Sequence, residues 1–320
     1  METEPKVSVV MPAYNVARYI SETLASVFAQ TFTNFEVIVV NDGSPDTEDL
    51  EVSLVPYLRR IRYIKQENRG VSAARNEALR VARGEFIAFL DADDLWEPNY
   101  LEEQLKFLEE KTCDLVCADA MHFGGSPLEG KSFMEAFMDS APATGEFTFL
   151  NLVSAERSLI TSGVLARRQP ILEAGLFDET LRNSQDFDLW LRLIRQGNVL
   201  AYQRKVLLRY RVHENSLSGD EVNRTTRQLR ILDKLETTLD FAPHERAQVL
   251  QTIDQRRAIL EYELGKLYLE RGEFDSARKS FATANALQRK WKTRVAVVLS
   301  HVAPGVLRTI RRRNVAKQAL

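Results

Sequence analysis

The stretch Gly84-Glu85-Phe86-Ile87-Ala88-Phe89-Leu90-Asp91-Ala92-Asp93-Asp94-Leu95-Trp96 decides how the chain is read. Its apolar run, Phe86 to Leu90, is bounded by a glycine and by carboxylates, the pattern of a strand buried on both faces. Three acids then crowd the strand's carboxyl end, where ligands bind in an open parallel sheet. Close carboxylates repel one another unless a cation neutralises them, and hard oxygen ligands suit Mg²⁺ or Mn²⁺. Asp91 and Asp93 are therefore candidate metal ligands. Asp94 reads as an acid that caps or precedes a helix entered at Pro98.

Upstream, Val7 to Met11 is a β-rich run stopped by Pro12-Ala13-Tyr14-Asn15, followed by a helical pattern with Ile20, Leu24, Val27 and Phe28 on one face. Phe35 to Val40 is a second strand, closing in Asn41-Asp42-Gly43-Ser44. A weakly helical segment over 46–58, a short strand at Arg62–Lys65 and a helix over Val71–Ala82 come next, the last with Ala74, Ala78 and Leu79 inward and Gly84 as its C-cap. Such alternation predicts an α/β fold with a parallel sheet and right-handed crossovers. The loops at Pro12–Asn15, Asn41–Ser44 and Asp91–Asp94 must then share one sheet edge. Neither a Gly-x-Gly-x-x-Gly nor a Gly-x-x-x-x-Gly-Lys-Ser/Thr motif is present, which disfavours hydride transfer and P-loop ATPase chemistry. Asp42 is placed to accept hydrogen bonds from a base or ribose, or else only shapes an Asx turn. Tyr14 can pack on a base, and Arg69 and Arg75 add positive charge near a diphosphate.

The 320 residues are 44% hydrophobic and 28% charged, with a formal net charge of −2, enough for one large domain or two medium ones. That balance argues against nucleic acid as a partner. Cys113 and Cys117 lack zinc-ligand neighbours and read as small buried hydrophobes in a reducing compartment. Met1 to Pro5 lacks the regions of a signal peptide, and no apolar run reaches the ~20 residues of a membrane span. The expectation is a cytoplasmic protein, at most peripheral on the inner face of the cell membrane.

Downstream, 121–148 reads as loops, Leu159–Leu165 as a strand and Gly175–Asp178 as a turn. Phe187, Trp190, Leu191 and Ile194 recur at helical spacing in a segment ended at Gly197 and capped by Asn183 or Ser184. Asp186 falls in its first turn, where the helix dipole favours an ionised carboxylate, as a general base requires. The plainer alternative is an Asp that only satisfies first-turn N–H groups. Leu207 to Ser218 is a strand ending in Tyr210-Arg211-Val212-His213, then Ser216-Leu217-Ser218. From Glu221 the pattern is helical only. Leu264-Gly265, Tyr268, Ala277, Phe281 and Ala284 resemble a single tetratricopeptide unit, departing from it at Glu261 and lacking the closing proline. Trp291, Val295, Val297, Val298 and Leu299 then alternate with Lys290, Lys292 and Arg294, ahead of the basic run Arg311–Arg313. That pattern fits an interfacial segment on an anionic membrane, or a solvated terminal helix.

Four motifs in order carry a family resemblance. They are Val7-Ser8-Val9-Val10-Met11-Pro12-Ala13-Tyr14-Asn15, Val40-Asn41-Asp42-Gly43-Ser44, Asn68-Arg69-Gly70-Val71-Ser72-Ala73-Ala74-Arg75-Asn76 and Leu90-Asp91-Ala92-Asp93-Asp94. Together they resemble the family 2 inverting glycosyltransferases, from about Lys6 to Ser218. The resemblance implies a GT-A fold (Rossmann-like, mainly parallel sheet flanked by helices) over 1–220, and the helical pattern that follows makes 221–320 a C-terminal all-helical region. It also implies a nucleotide-diphosphate sugar donor, expected to be a UDP-sugar, bound with Mn²⁺ or Mg²⁺; the expected acceptor is a glycan, lipid-linked if the interfacial reading of the tail holds. Pro12, Tyr14, Asp42 and Arg75 would surround the nucleotide, Asp91 would lie near the ribose and Asp93 would bind the metal; Ala13 and Asn15 of the same loop, and Arg69 by its charge, join the candidate nucleotide-sugar site. Gln185-Asp186 stands where the family usually has Glu-Asp, so the expected base is kept and its acidic neighbour is not. His213 matches a third metal ligand of some relatives, its alternative being a hydrogen-bonded structural histidine, and Arg211 can reach the diphosphate. Two rivals remain at this point. One is a non-catalytic protein of the same fold acting through its helical region. The other, a nucleotidyltransferase, would show a basic Gly-rich loop where Pro12-Ala13-Tyr14-Asn15 stands.

Overall fold

The computed structural model describes residues 4–126, 128–181, 184–213, 221–238 and 241–303, together with 305 and 309. Two compact units emerge, Met1–Leu152 with Glu156–Glu214, and Asn215–Leu320 with Val153–Ala155.

In the first unit, strands β1 (Val7–Ala13), β2 (Phe35–Asp42), β3 (Arg62–Gln66) and β4 (Phe86–Phe89) alternate with helices α1 (Ala17–Phe28), α2 (Thr47–Leu54) and α3 (Val71–Val81). They pair in parallel in the order β3-β2-β1-β4. Val7, Val9, Val10, Ile87 and Ala88 are fully buried, as expected of central parallel strands covered on both faces. Two details differ from the sequence reading. β1 continues through Pro12, opposite Val40, instead of stopping there. Val10 O accepts from Leu90 N, and Pro12, two residues on, faces that same side beyond the last β4 partner, so its missing N–H costs no ladder bond. Gly84 is not a C-cap, because α3 ends at Val81 with Ala82 extended. Gly84 is instead needed for close approach: a Cβ there would stand 2.6 Å from Ser8 N.

The second half of this unit contains β5 (Leu95–Trp96), α4 (Tyr100–Lys111), β6 (Leu115–Phe123), α5 (Phe133–Phe137), β7 (Thr144–Phe147), α6 (Phe149–Val153), β8 (Val164–Arg167), α7 (Arg168–Glu173), α8 (Gln185–Arg195) and β9 (Leu200–Arg211). The sheet continues β4-β8-β6-β9-β5, with β7 on β9. It is parallel through β4 and mixed beyond, since β8 runs antiparallel to both neighbours. The 121–148 region is more ordered than loops. Ser132 and Glu135 close a capping box on α5, and β7 pairs with β9. Thr161–Gly163 is a 3-10 turn, not strand. Its carbonyls are taken by distant side chains, Trp96 Nε1 donating to Ser162 O (2.9 Å) and Gln104 Nε2 to Gly163 O (2.8 Å), so no ladder is available to them.

The second unit is helical among its described residues: α9 (Glu221–Thr238), α10 (Pro243–Arg271), α11 (Phe274–Leu287) and α12 (Trp291–Val302). Leu269, Ala277, Phe281 and Ala296 form its core, bordered by Tyr262, Tyr268, Phe274 and Val297. At Gly265 a Cβ would lie 2.7 Å from the Phe281 ring, so α10 and α11 pack at a distance that only glycine permits. α10 runs 29 residues, longer than half of a ~34-residue tetratricopeptide unit. No described helix is long and apolar enough to cross a membrane. Asn183, Ser216, Ser218 and the run Arg311–Arg313 lie outside the described residues.

Candidate active site

The three loops read from the sequence do meet at the carboxyl edge of the parallel strands. Asn15, at φ +57°, gives its N–H to Ser44 Oγ (2.6 Å), and Ala17 N donates to Asp46 Oδ2 (2.8 Å). The β1–α1 and β2–α2 loops are thereby stitched together. Tyr14 stands at their mouth, 51% exposed. Asp42 at the end of β2 is buried, and its carboxylate accepts from Gln66 Nε2 (2.7 Å), Arg69 N (2.9 Å) and Gly70 N (2.8 Å). It therefore folds the 66–70 loop over the strand ends and keeps about one of its roughly four acceptor positions unused. Arg69 itself is exposed, with its guanidinium on Gln66 Oε1 at 3.2 Å.

Arg75 is the unusual cation of this edge. Only 4% exposed, it gives Nη2 to Asp91 Oδ1 (2.7 Å) while Nε and Nη1 are buried without a partner. A guanidinium with two orphan donors is a costly arrangement unless an anion or acceptor completes it. Its Cζ lies 5.5 Å from the centroid of the Phe177 ring.

Beyond β4 the three acids have separate tasks. Burial, with the Asp91 charge close by, holds the Asp93 carboxyl above the ordinary carboxylate range, against the pull of the His213 ring at 2.9 Å. Asp94 is fully buried and pushed well above that range by burial and by the charges of Asp93 and Asp91. It caps no helix: it accepts from Ser162 Oγ (2.5 Å) and from Arg211 N (2.8 Å), while α4 starts after Asn99. Asp94 thus ties the acid loop to β9, a tertiary role that no local pattern announces. Arg211, read as able to reach a diphosphate, gives Nε to Asp93 O (2.7 Å) and Nη2 to Glu22 Oε2 (2.6 Å).

Asp186 sits in the first turn of α8, half-buried, with Oδ1 accepting from Phe187 N (2.7 Å) and Oδ2 from Thr161 Oγ1 (2.8 Å). Each oxygen keeps a free lone pair. Ser184 occupies the N-cap at φ +56° and makes no side-chain capping bond. Its neighbour Gln185 is buried with Oε1 unpartnered. What fixes α8 is an aromatic triangle: Trp190 meets Phe89 of β4 edge-on (5.9 Å) and Phe177 (6.4 Å), and Phe89 meets Phe177 at 5.6 Å. Each such contact is worth about 0.5–1.5 kcal/mol beyond the area it buries. Asn76 of α3 holds Phe177 from the other side through both backbone groups at 2.9 Å.

Thr161 and Ser162, which sequence reasoning assigned to a strand, join the two halves of the site. Thr161 holds Asp186, while Ser162 Oγ donates to Asp94 and accepts from Asp91 N (3.2 Å). Their partners are 25 to 71 residues away in sequence, so no spacing rule points to them.

A divalent cation fits the acid loop on its charge, since the Asp93 carboxylate is disfavoured by burial beside Asp91 and a cation would relieve that. Among the described residues no three His, Cys, Asp or Glu side chains form a ready-made metal cage. An ion held by Asp93 and Asp91 would therefore bring further oxygen ligands with it, as phosphate-borne Mg²⁺ does. His213, read either as a third ligand or as a hydrogen-bonded structural histidine, pairs directly with Asp93 Oδ2 and packs against Tyr19 at 4.9 Å.

The family described as glycosyl transferase family 2 matches residues 8–171. An uncharacterized glycosyltransferase of Rickettsia bellii is 34% identical over 213 residues, covering 65% of this chain and 30% of its own length. The chain spans about a third of that relative and of two others from Rickettsia, covering 30%, 34% and 34% of their lengths. A Bacillus subtilis protein with the provisional name teichuronic acid biosynthesis glycosyltransferase TuaG is 32% identical over 222 residues, 68% of this chain and 83% of its own. Among solved structures, S. aureus TarS 1-349 in complex with UDP-GlcNAc has a TM-score of 0.65 at 19% identity, covering 97% of this chain and 92% of that one. The mannosyltransferase PcManGT from Pyrobaculum calidifontis, in complex with GDP-Man and Mn²⁺, has 0.63 at 18%, covering 96% and 88%. At these identities the structural likeness shows the fold: a GT-A α/β sheet with a C-terminal helical region.

Proposed function

Because the chain belongs to glycosyl transferase family 2, we propose that it is an inverting, metal-dependent glycosyltransferase that moves a sugar from a nucleotide-diphosphate donor to a hydroxyl of a growing glycan. The observation that carries this reading is the Thr161–Ser162 turn, which ties a half-buried carboxylate on α8 and an acid loop beyond β4 to one short segment. An acceptor base and a cation-binding pair held by adjacent residues suit a reaction with a hydroxyl nucleophile and an anionic leaving group. A UDP-sugar is the expected donor, in line with the ligand named for TarS, and the provisional name of the Bacillus relative favours a cell-envelope glycan, on a lipid carrier or free.

In this mechanism the strand-end loops bind the donor. Tyr14 packs on the base, beside Pro12, Ala13 and Asn15, and Asp42 holds the 66–70 loop in place while offering its remaining lone pair. Arg75 lends positive charge beneath the donor and holds Asp91 through Nη2, and Arg69 adds charge from the exposed side. Asp93 and Asp91 would hold the Mn²⁺ or Mg²⁺, which would supply Lewis acidity toward the departing diphosphate. Asp186 takes the proton of the acceptor hydroxyl as that oxygen bonds to the anomeric carbon from the face opposite the diphosphate. The C–O bond to the diphosphate breaks, and its electron pair leaves with the phosphate. Proton removal during attack is worth about 10²–10⁴ in rate.

Melting the protein against a panel of nucleoside diphosphates, with and without Mn²⁺, tests the donor half. Ligand at ~100 times its Kd stabilises by about 2.7 kcal/mol, which a melting curve resolves. The expected result is a shift for one base that needs metal and is lost in Asp93→Ala. A flat panel would favour a non-catalytic protein that retains the fold.

A further inference from the structure

Helix α12 turns its faces the unusual way. Thr293, Ala296 and Ser300 are buried, with Ala296 in the core beside Leu269, Ala277 and Phe281. Trp291, Val295, Val298 and Val302, spaced by four, three and four residues, form one stripe that is 46% to 78% exposed. A helix of a globular protein ordinarily buries its large apolar residues and leaves the small and hydroxylated ones outside. Beside the stripe lies an open groove of about 630 Å³, lined by Ala282, Ala286 and Val298 with Arg289 and Arg294.

Charge identifies what covers that face. Nine of the chain's 43 Lys and Arg, and none of its 45 Asp and Glu, lie between Arg289 and Leu320, leaving 34 cations against 45 acids before them. Lys290, Lys292 and Arg294 flank the stripe and are exposed. A second copy brought face to face would set these cations against one another with no carboxylate in the segment to pair them. We infer that α12 docks on an anionic lipid bilayer, its Trp–Val stripe entering the headgroup–acyl boundary and its cations resting on lipid phosphates. This inference does not depend on sugar transfer, because partition is measured without donor or acceptor.

Intrinsic fluorescence of the whole chain provides a direct test. Of the three tryptophans, Trp96 and Trp190 are buried and Trp291 is 70% exposed, so a blue shift on vesicles reports α12. With phosphatidylcholine vesicles containing about one third phosphatidylglycerol, the bound fraction should rise roughly tenfold or more over phosphatidylcholine alone and fall with added salt. Val298→Glu should abolish both shift and partition while leaving the melting temperature unchanged. Val52→Glu, at an exposed position in the first unit, should alter neither. Equal partition onto neutral vesicles, unchanged partition of Val298→Glu, or a dimer that Val298→Glu dissolves without any vesicle binding would each overturn the inference.

Discussion

Helices α8 and α12 are nearly the same length, 11 and 12 residues, and each carries a tryptophan on an apolar stripe. One stripe is packed and the other is left in water. In α8, Trp190 is 2% exposed and locked against β4, the strand that ends in the acid loop, so apolar packing positions a carboxylate. In α12 the buried residues are Thr293, Ala296 and Ser300, with Val297 at the core's edge, and Trp291 is 70% exposed, so apolar area remains for a partner. Helical periodicity is common to both. Their difference lies in what each helix buries, and only tertiary packing decides that.

The comparison is broken most directly at the two tryptophans. Trp190→Ala should cost about 3–5 kcal/mol of stability, the range for emptying a packed aromatic site, whereas Trp291→Ala should stay within about 0.5 kcal/mol. Urea denaturation of both variants measures this, and equal losses would mean that the two faces are not used differently. A smaller effect is expected at Asp94. Asp94→Ala leaves Ser162 Oγ–H and the Arg211 N–H without their acceptor and should cost about 2–3 kcal/mol. A neutral result in the same denaturation experiment would remove Asp94 from the tie between acid loop and β9. The mildest change is Thr161→Val, which keeps the shape and deletes the hydroxyl on Asp186. With about 1 kcal/mol at stake, turnover should fall less than tenfold and donor affinity should not move. A loss of donor affinity instead would show that the turn positions the donor loop more than the carboxylate.

These contrasts also mark what was legible in the chain. The strands β1, β2 and β4 and the loops after them could be read because each signal is contiguous: an apolar run, then Pro-Ala-Tyr-Asn, Asn-Asp-Gly-Ser or Asp-Ala-Asp-Asp. The place of Asp186 in a helical first turn could be read because that signal is also local. Thr161, Ser162 and Asp94 escaped because their meaning lies in partners 25 to 117 residues distant. The Ser132-x-x-Glu135 box was a local signal, and it was hidden only by the Gly- and Ser-rich composition around it. For α12 the amphipathic pattern was visible, but not which side of it faces Phe281 and its neighbours.

Asp186→Asn, assayed on the donor that the melting panel selects, tests the central claim most directly. The amide keeps the shape of the carboxylate but has no charge with which to take a proton. Donor affinity, read by the metal-dependent melting shift, should match that of the unaltered protein, while turnover falls by about 10²–10⁴. Unchanged transfer with unchanged donor binding would contradict the assignment of Asp186 as the base and leave the Thr161–Ser162 turn as a purely structural joint.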